Sequence, residues 1–188
     1  MATLKVYNID SAPKESKHAL EEVNRRYGQI PNLWGTLANS PALLNGYMAL
    51  NQQWERSSLT AREREFVFLS ASVANQCPYC MAGYTAGLKH MNVGGDIIRQ
   101  VLNNDTVGDP KLNALVTLVK EIVNNRGFLT DPVRDAFLAA GYQENIILEI
   151  LIGVAMKTMA NYVDHLFPIP IDEKYSEEYL KVIREGHE

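Results

Sequence analysis

Cys77 and Cys80 are the only cysteines among 188 residues, and they sit together in Cys-Pro-Tyr-Cys, directly behind a long apolar run. Two intervening residues is the spacing of a redox dithiol, and a thiolate held there can attack a peroxide or a disulfide. Pro78 suits the first position of a helix. Cys77 then stands at the helix N-terminus, where unpaired N–H groups and the positive helix end stabilise a thiolate. Cys80 falls about one turn further in on the same side, so the two sulfurs can close a disulfide. Helix-end electrostatics favour Cys77 as the more acidic thiol. The bland alternative is a pair of small buried residues in a core. A zinc site would need two more ligands, a second Cys pair or two His, and the sequence has neither a second pair nor His at helical spacing. Thioredoxin-like chemistry belongs to a βαβ context that is absent.

The elements that must position this pair read as helices nearly throughout. Ala19, Leu20, Val23 and Tyr27 recur at three- and four-residue steps before Gly28, which suits a helix C-terminus. Ile30 to Leu37 is a turn or a single-turn helix, and its Pro-Asn-Leu-Trp is a candidate lining for a pocket beside the dithiol. Ser40-Pro41 opens a helix, as do Asp109-Pro110 and Thr130-Asp131-Pro132. Thr60 and Glu63 have the form of a capping box ahead of Phe66 to Ala74, a run apolar on every side and hence central. Leu59-Thr60 and Leu129-Thr130 hint at weak internal symmetry. A last long helix runs from about Gln143 to Leu166. The expected fold is all-α, a compact multi-helix bundle in one domain over residues 1–188, with an N-terminal arm, a core at about 13–167 and a C-terminal arm at about 168–188.

Composition narrows the function classes. The net charge is -4, 46% of residues are hydrophobic and 21% are charged, with no basic block, so nucleic acid is not an expected partner. Apolar runs are interrupted short of the ~20 residues a membrane span needs, and the first residues lack an apolar signal region. A cytoplasmic protein is the expectation, and there a Cys-x-x-Cys pair is more often catalytic or metal-binding than a structural staple. No Gly-rich phosphate loop follows a strand, so no nucleotide cofactor is indicated.

Glu65 begins the buried helix, and helical steps lead from it to Leu69 and Ser72. A carboxylate on that face would have a raised pKa and could act as a general base; the alternative is a favourable charge in a first turn. His90 lies roughly 80° around a helix from Cys80 and His165 on the last helix; either is a lesser site candidate. His18 and His187 read as surface residues.

Glu65 followed by eleven residues and then Cys77-x-x-Cys80, with Leu59-Thr60-x-x-Glu63 before and Ala82-Gly83 after, resembles the core signature of the alkylhydroperoxidase D and carboxymuconolactone decarboxylase superfamily. The similarity covers about Leu59 to Gly95 and extends loosely to Asn161-Tyr162-Val163-Asp164-His165. It implies an all-helical fold assembling as a homo-oligomer, commonly a trimer or hexamer. It also implies a dithiol that reduces hydroperoxides without haem, flavin, metal or other cofactor, and a thiol protein or small thiol that re-reduces the pair. By resemblance Cys80 attacks and Cys77 resolves. The chain departs from the family pattern where a His is expected four residues after the second Cys: Tyr84 stands there, and Tyr79 occupies the position between the cysteines that can carry another His. A phenol is a poor base at neutral pH, so Glu65 would act directly or through water, with Tyr84 positioning a proton or water. The leading expectation is a dithiol peroxidase or disulfide reductase. A redox-sensing helical oligomer whose dithiol serves a partner protein is the alternative, and a lactone decarboxylase, which has no need of a dithiol, is the third.

Overall fold

The computed structural model describes residues 3–185, and every element among them is helical. In chain order these are α1 (Lys14–Tyr27), α2 (Asn32–Leu37), α3 (Pro41–Trp54), α4 (Ala61–Ala74), α5 (Pro78–His90), α6 (Gly95–Leu102), α7 (Pro110–Asn124), α8 (Asp131–Ala139), α9 (Glu144–Leu166) and, after a short 3-10 turn at Glu173–Tyr175, α10 (Ser176–Glu185). His187 lies outside the described residues.

Local chemistry sets most boundaries. Ser40 Oγ accepts from Leu43 N, and Asp109 accepts from Lys111 N and Leu112 N, each ahead of a proline in the first turn. The capping box is complete: Thr60 Oγ1 accepts from Glu63 N, while the Glu63 carboxylate accepts from Thr60 N at 2.8 Å. Gly28 takes the left-handed conformation, φ 69°, that ends α1. Thr130 makes no side-chain cap, so the two Leu-Thr helix starts are not equivalent.

The core is built around α4, which packs against α5, α6, α7 and α9. Its residues Phe66 to Val73 are all buried, as a central helix requires. α9 reaches this core through Gly153. A Cβ there would stand 2.9 Å from Trp54 Cη2 and 3.0 Å from Val67 Cγ1, so a side chain would push α9 away from α3 and α4. α9 is long and apolar enough to cross a membrane by length and composition, yet one face of it is packed into this bundle.

The first and last segments of the described residues are docked. Tyr7 N donates to Gly35 O at 3.1 Å, and a Cβ on Gly35 would fall 2.6 Å from Tyr7 O. At the other end, Asp172 is buried and accepts from Tyr79 Oη at 2.6 Å and from Asn32 N at 3.0 Å. Ile169 N donates to Asp164 Oδ1 at 3.0 Å, and α10 lies along α5 with Lys89 paired to Glu178 at 2.7 Å. The C-terminal segment is thus strapped over the helix that begins at the dithiol.

Two outcomes follow. Gly153→Val is expected to cost about 1–3 kcal/mol through overpacking, read as a lower urea midpoint at unchanged slope. Tyr79→Phe removes two hydrogen bonds, one to the Asp172 carboxylate and one from Leu33 N, about 1–3 kcal/mol of local stability. Limited trypsin cleavage at the exposed Lys174 should then quicken roughly tenfold, with the global melting temperature little changed.

Candidate functional site

Cys77 is the N-cap residue of α5, and its Sγ accepts from Cys80 N at 3.4 Å. This bond folds the Cys77 side chain back over the first turn, bringing it to Cys80. Both sulfurs are shut away from solvent, with Cys77 0% and Cys80 3% exposed, and both are free thiols.

The two thiols are unlike. The Cys77 thiol is pushed well above its ordinary range, first by its hydrogen bond to the Cys80 sulfur, then by burial and by the charges of Cys80 and Asp164. Asp164 Oδ2 lies 3.4 Å from Cys77 Sγ and is a second acceptor for that proton. Cys80 moves the other way, to about 7. The hydrogen bond from Cys77 is the main cause; the Lys157 ammonium and the Asn161 amide add to it, and together they outweigh burial and the Asp164 charge. Helix-end electrostatics alone favour Cys77 as the acidic thiol. The structure reverses that order, because the amide dipoles at the helix end are weaker than the neighbouring thiol, a buried cation and a carboxylate beside Cys77.

Glu65 rises from the second turn of α4 toward α5, beyond the first turn, where only Glu63 is acidic. Gly87 makes room for it: a Cβ there would meet Glu65 Oε2 at 2.9 Å. The carboxyl is pushed up to about 7 by burial, against the opposing pull of Lys157 and Arg64. It has no hydrogen-bond partner among the described residues. Tyr84, one turn beyond Cys80, accepts a hydrogen bond from Lys157 Nζ and packs its ring 5.1 Å from Phe68. Burial keeps the Tyr84 phenol well above its ordinary value, and the neighbouring anionic groups add to the effect.

Sequence reasoning gave Lys157 no role, and it named Asn161 and Asp164 only within a loosely similar segment. The three share one face of α9 at helical steps, with Lys157 and Asn161 at 0% exposure. Asn161 accepts from Asn75 Nδ2 at 2.9 Å. A single lysine in the apolar stretch from Ile150 to Ala160 is the signal that points to it. The sequence-derived candidates divide accordingly. Cys77, Cys80, Glu65 and Tyr84 face one cluster, whereas His90 and His165 are exposed, the latter stacked on Tyr162, and His18 sits at the surface near Glu22. Tyr79 is turned away: its Oη accepts from Leu33 N at 3.1 Å and donates to Asp172, so it ties α2 to the C-terminal strap. Trp34 does line a cavity of about 410 Å³, with Tyr27, Met48 and Arg26, but no cysteine opens into it. Among the described residues no group of three or more His, Cys, Asp or Glu side chains is placed to hold a metal ion.

Residues 41–121, which carry Glu65, both cysteines and Tyr84, match the carboxymuconolactone decarboxylase family. No curated protein matches in sequence. The fold is similar to that of an uncharacterized peroxidase-related protein from Ralstonia eutropha with an alkylhydroperoxidase AhpD core (TM-score 0.79, 20% identity, covering 91% of this chain and 92% of that one). It is also similar to a peroxidase-related protein from Silicibacter sp. (TM-score 0.77, 17% identity, 95% and 99%). A third similar structure is the debrominase Bmp8 in complex with 2,3,4-tribromopyrrole (TM-score 0.78, 12% identity, 97% of each chain). The fold is thus of the alkylhydroperoxidase D-like all-α type, and residues 41–121 are similar in sequence to the carboxymuconolactone decarboxylase family.

The raised Glu65 carboxyl makes stability depend on pH. The folded protein keeps a proton that the unfolded chain has released between pH 4.5 and about 7, so this contribution is present below pH 4.5 and lost as pH rises through about 7. Glu65→Gln is expected to be more stable than the parent at pH 7 by about 1–3 kcal/mol, with no such gain at pH 4.5, read by thermal melts at the two pH values.

Proposed function

From the family match over residues 41–121 and from two thiols of opposite character, we propose that the protein is a cofactor-free dithiol peroxidase or disulfide reductase acting on hydroperoxides. One observation carries the reading: Cys80 is acidified to about 7 while Cys77, in contact with it, holds its proton. A dithiol peroxidase needs that division of labour. The Cys80 thiolate attacks one peroxide oxygen, forming an S–O bond as the O–O bond breaks; sulfur is oxidised by two electrons and the alkoxide leaves to be protonated. Cys77 then condenses with the sulfenic acid, forming the disulfide and releasing water. A thiol protein or small thiol supplies the two electrons and two protons that restore the pair. Glu65, about 7 itself, is suited to relay a proton near neutral pH.

In the same reading the protein is a cytoplasmic homo-oligomer, a trimer or hexamer. Leu148, Leu151, Tyr162 and Leu166 stand exposed along α9, an apolar face that another copy would cover. A second function is favoured by the burial of both sulfurs and by Tyr84 in place of an imidazole: a redox-sensing oligomer whose disulfide state is read by a partner protein.

The deciding experiment is hydroperoxide consumption with dithiothreitol as reductant, comparing the parent with Cys80→Ser and Cys77→Ser. Because a protein of this fold is a debrominase, 2,3,4-tribromopyrrole belongs on the same substrate panel. Loss of at least a hundredfold in Cys80→Ser, with a Cys77–Cys80 disulfide after one turnover of the parent, is the expected result. Equal rates in all three would sink the peroxidase and leave the sensor.

A further inference from the structure

Lys157 is the only lysine or arginine among the buried described residues, at 0% exposure, and it makes no salt bridge to a carboxylate. Its polar contacts are the hydroxyls of Tyr84 and Tyr47, and its Nζ lies 4.9 Å from the ring centre of Phe68 and 4.4 Å from that of Tyr84. Rings and protonated phenols do not neutralise a buried ammonium. The titratable groups facing it are Tyr47 from α3, Glu65 from α4, and Cys77, Cys80 and Tyr84 from α5, with Asp164 further along α9 and Tyr27 of α1 behind Tyr84. Tyr47, Tyr84 and Cys77 hold their protons. Asp164 is engaged by Cys77 and Ile169. Glu65 and Cys80 remain as sources of negative charge, and Tyr84 is one turn from Cys80 on the same helix.

We infer that Lys157 is the counter-ion of the Cys80 thiolate and that it supplies, through Tyr84, the proton that leaves with the substrate's departing oxygen. The counter-ion role stands alone; the proton delivery rests on the peroxidase reading. As Cys80 attacks, the alkoxide takes the Tyr84 proton and Tyr84 takes one from Lys157 Nζ. An ion pair thereby becomes a neutral sulfenic acid and a neutral amine. Burial then works in favour of the transfer, since an ammonium whose anion has been consumed is poorly solvated and is a stronger acid. Re-reduction by the external thiol returns one proton to Cys77 and one to Lys157.

The test is the pH dependence of iodoacetamide alkylation of the reduced protein, with the modified cysteine located by peptide fragmentation. The parent's Cys80 should titrate near 7. Lys157→Met, of similar length and uncharged, should raise that midpoint by more than one pH unit and slow alkylation at pH 7 at least tenfold, while Lys157→Arg restores most of it. An unmoved midpoint in folded Lys157→Met overturns the proposal. A moved midpoint in a protein whose parent consumes no peroxide upholds the counter-ion and removes the peroxidase reading. A second measurement needs no variant. The Lys157 amine, followed by its 13Cε shift, should titrate at lower pH in the disulfide form than in the dithiol form; identical titrations overturn the pairing.

Discussion

Burying a positive charge inside an apolar helical bundle sets the terms for everything around it. Lys157 is carried there by α9, and α9 can come so close only because Gly153 lets its backbone sit against Trp54 and Val67. Once inside, the ammonium bends the chemistry of its neighbours. It draws the Cys80 thiol down while burial pushes it up, and it restrains the rise of Glu65. The phenols of Tyr47 and Tyr84 are kept protonated by the same apolar setting. Removing water from the site is what makes these interactions strong, since an ion attracts more effectively at low dielectric than in solvent.

Much of this architecture was legible in the sequence because its rules are local. The pairs Ser40-Pro41, Thr60 with Glu63, Asp109-Pro110 and Cys77-Pro78 each fix a helix start within four residues, and the structure places α3, α4, α7 and α5 there. The family core, from Glu65 to Tyr84, also lies in one stretch and could be read as a unit. What could not be read is what the last long helix brings. Lys157, Asn161 and Asp164 lie more than seventy residues beyond the dithiol, and nothing in their spacing to it encodes proximity. The acid order of the two cysteines was obscured for the same reason. A local reading sees the helix end, whereas the deciding charges come from a distant segment. Tyr79 taught the opposite lesson. It adjoins both cysteines in sequence, yet its hydroxyl serves Leu33 and Asp172.

Tyr84 and Lys157 are best considered together. A phenol where the family carries an imidazole lacks a base of suitable strength at neutral pH. An ammonium behind that phenol supplies charge and a proton without the imidazole. The change also alters how the site meets pH. An imidazole loses its charge near neutrality, whereas a lysine held by a neighbouring anion keeps its charge across that range and surrenders it when the anion disappears.

The Asp164 carboxylate has two tenants. One oxygen faces the Cys77 thiol and the other holds Ile169 N at the root of the C-terminal segment. Thermodynamic reciprocity attaches a consequence to that sharing. Closing the disulfide removes the thiol proton from one side of the carboxylate, and whatever this does to the grip on Ile169, prising the segment away must do in equal measure to the reduction potential of the pair. A docking protein that peeled back residues 167 to 185 would thus retune the dithiol in the act of uncovering it.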